Sequence, residues 1–167
     1  AGASLDYHNN YDGQLSPAVY LVEMFRKFGM PFDHIYAYEV TPLKPSSVFQ
    51  KVPKEWLPAY HWINVGIDTT PGGKLNPLSM VLDNFNEDDL IVFKLDIDTP
   101  SLEMPLAQQL LKDDRFNTMI DQFYFEHHVR NSELAKDWRQ SMKGSFKESL
   151  DLFAGLREKG IPAHPWV

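Results

Sequence analysis

The chain has 167 residues, a formal net charge of −7 and 43% hydrophobic residues, which suits one globular domain and excludes a largely disordered chain. Its 16 Lys and Arg are scattered rather than gathered, so nucleic acid is not an expected partner. There is no cysteine, which excludes disulfides, thiolate catalysis and Cys-ligated metal sites. No apolar run is long enough to span a bilayer and the first residues lack the order of a signal peptide, so no membrane insertion by this segment is expected.

The first helix is announced by Ser16 as N-cap and Pro17 at the first helical position, with Val19, Val22, Phe25 and Phe28 on one face and Gly29 as the stop. A buried strand is expected over 34–40, closed by Thr41-Pro42, and a second over 61–67 after a proline-punctuated stretch. Pro71-Gly72-Gly73 is a turn, and Asn76-Pro77 starts a short helix through Phe85. The continuous apolar run over 90–96 predicts a parallel strand covered on both faces. Thr99-Pro100 opens the next helix, 123–127 is another strand, Ser145 with Glu148 forms a capping box for a helix ending at Gly160, and 161–167 is a last strand.

Alternating strands and helices predict a single α/β domain over 1–167 with a mainly parallel sheet in a Rossmann-like three-layer sandwich. Ligands of such sheets bind beyond the carboxyl ends of the strands. Those ends carry Glu39, Asp68, Asp96, Asp98, and Glu126 with His127 and His128. Asp96 and Asp98 are read as pointing to opposite faces, with Asp96 the functional acid and Asp98 a cap for the helix at Thr99-Pro100. Glu126 with a neighbouring histidine has the chemistry to ligate a divalent cation or move a proton, but adjacent histidines on a strand diverge, so structural hydrogen bonding or substrate contact is preferred to a metal site. Lys94 and Glu103 read as structural or solvated, a buried pair of Lys94 with an acid being the alternative, and His164 and Trp166 read as sheet-edge packing.

Ala1-Gly2-Ala3-Ser4 followed by a helix and then HIYAYE, ending in Glu39, resembles the glycine turn and second-strand acid of class I methyltransferases. FKLDIDTPSLE and YFEHH resemble the fourth and fifth strands of the FkbM-type methyltransferase family, although Asp98-Thr99-Pro100 stands where that family has Glu-Gly and a small residue, and the turn keeps one glycine. The resemblance implies S-adenosylmethionine as cofactor, approached by the backbone of Gly2, Ala3 and Ser4, with Glu39 on the ribose hydroxyls and Asp68 either on the adenine amino group or simply holding its turn. It implies methyl transfer to an oxygen or nitrogen of a small molecule or glycan, with Asp96 or His127 as the base. A first strand is then expected before Ala1, making this a fragment of a longer chain. The alternatives are a non-catalytic relative kept as a binding module or for assembly with a protein partner and, third, a metal-assisted hydrolase using Asp96, Glu126 and His127.

Overall fold

The computed structural model describes Leu5 and residues 16–129 and 144–166. The chain divides into two compact units, one ending at Gly66 and the other beginning at Ile67.

In the first unit, α1 (Pro17–Lys27) is followed by β1 (Ile35–Tyr38), a short helix α2 (Pro45–Phe49), a single 3-10 turn and β2 (Tyr60–Ile63). Helix α1 begins where the sequence indicates because the Ser16 side chain accepts the Val19 amide at 3.3 Å and Pro17 presets the first helical φ. Its buried residues are Leu21 and Phe25. Phe28, expected on the apolar face, is instead the C-cap and 74% exposed, because the chain leaves the helix there for Gly29 at φ 79. β1 and β2 pair in parallel, Ile35 against Tyr60 through Tyr38 against Ile63. Ala37, Val48, Val52, Trp56 and Tyr60 form the core, with Val19, Val22, Ile35 and Trp62 packed at its margin.

The second unit runs α3 (Pro77–Asn84), β3 (Val92–Leu95), α4 (Pro100–Lys112), a 3-10 turn, β4 (Gln122–Phe125), α5 (Phe146–Glu158) and β5 (Ala163–Pro165). Its sheet has the order β3-β4-β5, all parallel. The expected strands are therefore present, each shorter than its apolar run, and among the described residues every ladder is parallel. Asn76 caps α3 by accepting the Leu78 amide at 2.9 Å and uses its amide group on the Thr70 carbonyl at 3.0 Å and Gln109 Oε1 at 2.9 Å. That arrangement explains why this polar side chain is 1% exposed: a buried amide is stable only when its donors and acceptors are matched. The capping box at α5 is complete, with the Ser145 hydroxyl accepting the Glu148 amide and the Glu148 carboxylate accepting the Ser145 amide. Pro105 lies inside α4.

The side chains of β3 and β4 alternate strictly. Phe93, Leu95, Phe123 and Phe125 are buried, and Phe123 stacks between Phe93 and Phe125 with centroids 5.8 and 5.7 Å away. Phe153 of α5 packs on Phe125 at 6.3 Å. Complete burial of a phenyl side chain contributes roughly 1.5–3 kcal/mol, so these rings anchor the unit. Alternation then fixes the opposite side of both strands as the place for the even-numbered residues.

Candidate functional site

The parallel register places Lys94 beside Tyr124 and Leu95 beside Phe125, and the Glu126 amide continues the ladder to the Leu95 carbonyl at 3.2 Å. One step further along, Asp96 comes level with Glu126, and the chain beyond brings Asp98 to His128. These are the contacts observed. Asp96 hydrogen-bonds Glu126 and forms an ion pair with Lys94, while Asp98 Oδ1 lies 3.3 Å and Glu126 Oε1 3.7 Å from His128 Nε2. The other ring nitrogen, Nδ1, is 3.9 Å from Glu103 Oε2. Glu103 is supplied by the first turn of α4, is 1% exposed, and accepts the Ile97 amide at 2.9 Å through its other oxygen.

Two expectations are corrected here. Residues two apart in an extended segment share a side, so Asp96 and Asp98 belong to one cluster rather than to opposite faces. Nor does Asp98 cap α4: the N-cap is Thr99, which makes no side-chain cap hydrogen bond, and the Asp98 carboxylate is turned to His128. Its backbone has φ 54, a left-handed conformation that Asp and Asn tolerate better than other side chains. For Lys94 the alternative of a buried pair with an acid is the one observed, its partner being Asp96, and Glu103 is structural and buried rather than solvated.

The electrostatics follow from this crowding. Burial pushes the Asp96 carboxyl upward, but the hydrogen bond with Glu126 and the Lys94 ammonium outweigh it, so Asp96 titrates below its ordinary value. Burial, the hydrogen bond to Asp96 and the charges of Asp96 and Asp98 push Glu126 up to about 8. Glu103 is also raised, chiefly by burial, against the opposing Ile97 amide and His128. Two carboxyl groups in contact cannot both ionise cheaply, and here one takes the proton while the other keeps the charge.

His127 lies on the other side of the chain. Its ring stacks on Phe125, 5.2 Å between centroids and 14° between planes, and its two buried nitrogens meet no hydrogen-bond partner among the described residues. Burial, aided by His128, lowers its pKa against the pull of Glu148. Of the two residues considered as a base, the structure therefore brings Asp96 into the cluster and leaves His127 outside it. The imidazole that joins the acids is His128.

Comparison with known proteins gives no match to any family model, curated protein or solved structure.

The remaining acids are held locally. Glu39 Oε1 accepts the Thr41 amide at 2.8 Å, and its own carbonyl accepts the Asn64 amide group at 2.7 Å. Asp68 Oδ1 accepts the Thr70 amide at 2.5 Å, as its turn reading anticipates. A Cβ on Gly73 would approach the Asp68 carboxylate to 2.8 Å, so glycine is required there for close approach. Gly2, Ala3 and Ser4 lie outside the described residues. His164 stacks on Tyr124 at 5.1 Å and contacts Gln122 Oε1 at 2.8 Å, and Trp166 meets Tyr124 edge-on, which is the sheet-edge packing expected of both.

A cavity of about 350 Å³ opens between Pro71, Gly72, Ser79, Leu82, Lys112 and Arg115. It lies at the carboxyl end of α4, whereas Glu103 is in the first turn. A helix of 13 residues is about 20 Å long, so this cavity is separate from the acid and imidazole cluster. Arg115 is already paired with Asp113 at 2.6 Å.

Proposed function

We propose that the chain is a methyltransferase-like domain of Rossmann-like three-layer type that binds S-adenosylmethionine and transfers its methyl group to an oxygen or nitrogen of a small molecule or glycan. The reading is supported by the resemblance of HIYAYE, FKLDIDTPSLE and YFEHH to that enzyme class, and by parallel strands whose carboxyl ends carry polar groups, where ligands of α/β sheets bind. The observation that carries it is Asp96 at the end of β3, fixed between Lys94 and Glu126. When bound, S-adenosylmethionine would supply the methyl electrophile, and Asp96 would orient the acceptor and take up its proton.

Calorimetric titration of the whole chain with S-adenosylmethionine and with its demethylated product tests this. Saturable binding of both, each competing with the other, is expected; absence of binding by either overturns the reading. A second reading, a non-catalytic binding or assembly module, is favoured by the local use of Glu39 and Asp68 on the amides of Thr41 and Thr70. It predicts that neither compound binds.

A further inference from the structure

The distances around His128 suit the ligands of one cation. Nε2 faces two carboxylate oxygens, Asp98 Oδ1 at 3.3 Å and Glu126 Oε1 at 3.7 Å, both longer than the about 2.7–2.9 Å of a charge-assisted N–H to carboxylate bond. Ligands bound at about 2.1 Å to one cation stand roughly 3.0 Å apart in an octahedron and 3.4 Å apart in a tetrahedron. Asp98, Glu126 and His128 each present one such atom, all within 4.8 Å of one another.

Glu103 adds an independent sign. A metal-bound imidazole characteristically turns its other nitrogen toward a carboxylate, and the fully buried Glu103, itself anchored by the Ile97 amide, places Oε2 3.9 Å from His128 Nδ1, an ion-pair distance that a protonated Nδ1 would close to a hydrogen bond on metal binding. Around this imidazole stand Asp98, Glu103 and Glu126, and Asp96 behind Glu126 is paired with Lys94. Carboxylates gathered out of water need compensating positive charge.

We infer that Asp98, Glu126 and His128 form a site for a divalent first-row transition cation, with Glu103 orienting the imidazole. Two carboxylate oxygens and one nitrogen suit Mn²⁺, Fe²⁺ or Zn²⁺ better than Mg²⁺ or Ca²⁺, which prefer all-oxygen sets. Three protein ligands leave coordination positions open, as in catalytic metal sites. The Asp98 side chain is 48% exposed and that of His128 12%, so the open positions are reached from the Asp98 side by water or a small oxygen-bearing ligand. The inference uses the second unit alone and does not depend on methyl transfer.

The test is titration of the whole, chelator-treated chain with Mn²⁺, followed by electron paramagnetic resonance of the free ion, and with Zn²⁺ by calorimetry. One saturable cation per chain is expected, with binding weakened at least about tenfold by Asp98→Asn and by His128→Gln, and about 10- to 100-fold by Glu103→Gln. Pulsed resonance of bound Mn²⁺ should show nitrogen coupling that disappears in His128→Gln and shifts in Glu103→Gln, a signature that a merely structural role for either residue would not move. Asp98→Asn keeps the shape and the tolerance of positive φ at a half-exposed position, so it remains decisive if the buried variants fold poorly. Lack of saturable Mn²⁺ and Zn²⁺ binding at millimolar concentration overturns the site, as does undiminished binding in Asp98→Asn.

Discussion

At the carboxyl end of β1 the Glu39 carboxylate turns back onto the amide of Thr41, whereas beyond β3 and β4 the acids meet one another and an imidazole. Both places carry the same residue type at the same point of a parallel ladder. The difference is local: after β1 the chain makes a tight turn whose free amides need an acceptor, while after β3 it enters α4 through Asp98 and leaves the carboxylates facing across the ladder. A strand-end acid is therefore a stronger functional candidate when its neighbours, rather than its own backbone, are its partners. The two cores differ as well. In the second unit stacked phenyl rings fill the space, whereas in the first the Tyr60 hydroxyl lies buried with no hydrogen-bond partner among the described residues.

The largest expected effect tests that contrast in packing. Phe123→Ala, at a side chain with 0% exposure, should cost about 3–5 kcal/mol in stability, read as a fall in the urea midpoint at unchanged slope. A loss under about 1 kcal/mol would mean that the aromatic stack is not the anchor it is taken to be. Next, Glu103→Ala leaves the Ile97 amide without its acceptor and should cost about 1–3 kcal/mol, with Glu103→Gln, which keeps an acceptor oxygen, recovering part of it. Equal losses in the two variants would remove that hydrogen bond from the account.

Glu39→Ala sharpens the comparison between the strand ends. If the methyltransferase reading holds, affinity for S-adenosylmethionine should fall by on the order of 1–3 kcal/mol while the fold survives. Unchanged affinity in a variant whose parent binds would confine Glu39 to its turn.

The smallest effect concerns Tyr60. Burial, with the charge of Glu39, raises its phenol to about 12 from the ordinary 10.0, so the folded state favours the neutral form. The resulting stability is complete below pH 10 and is lost as pH rises from about 10 to about 12, because the unfolded chain ionises first. Tyr60→Phe should remove its share of that alkaline decline, leaving the smaller parts due to Tyr38 and Tyr124, which burial also raises, and keep neutral-pH stability within about 1 kcal/mol of the parent. A marked loss in thermal melts at neutral pH would reveal a partner for the hydroxyl.

Much of the fold was legible because its signals are local. Ser16-Pro17, Asn76-Pro77 and Ser145 with Glu148 each satisfy exposed helix amides in a way that little else in the chain can imitate, and the apolar runs at Ile91–Leu95 and Phe123–Phe125 have no polar interruption that would suit a surface strand apart from Lys94 and Tyr124. Strand ends were less legible, since an apolar run continues after pairing stops, as at Val40 and Leu90, both exposed. In the candidate site, Asp96 was picked out by its position alone. From sequence His128 is named at its strand end but passed over for His127, and Glu103 is read as structural or solvated, for different reasons. His128 follows from alternation, because burial of Phe123 and Phe125 assigns Glu126 and His128 to the side of Asp96 and Asp98, so choosing His127 meant following the apolar run instead of its period. Glu103 carries no such mark: an acid in the first turn of a helix is ordinary dipole compensation, and only tertiary packing turns it inward.

Pro105 divides α4 in a way that bears on motion. Lacking an N–H, it cannot donate to the Ser101 carbonyl, so the turn bearing Glu103 is joined to the remainder of the helix by fewer bonds than any later turn, while Leu106, Ala107 and Leu110 are completely buried. One helix should thus behave as two cooperative segments, a deep one that opens only with the unit and a shallow first turn, at least partly exposed at every residue except Glu103, that opens by itself. Native-state hydrogen exchange would resolve them as two opening free energies, and the shallow segment would set the pace at which the imidazole's carboxylate support is withdrawn and restored.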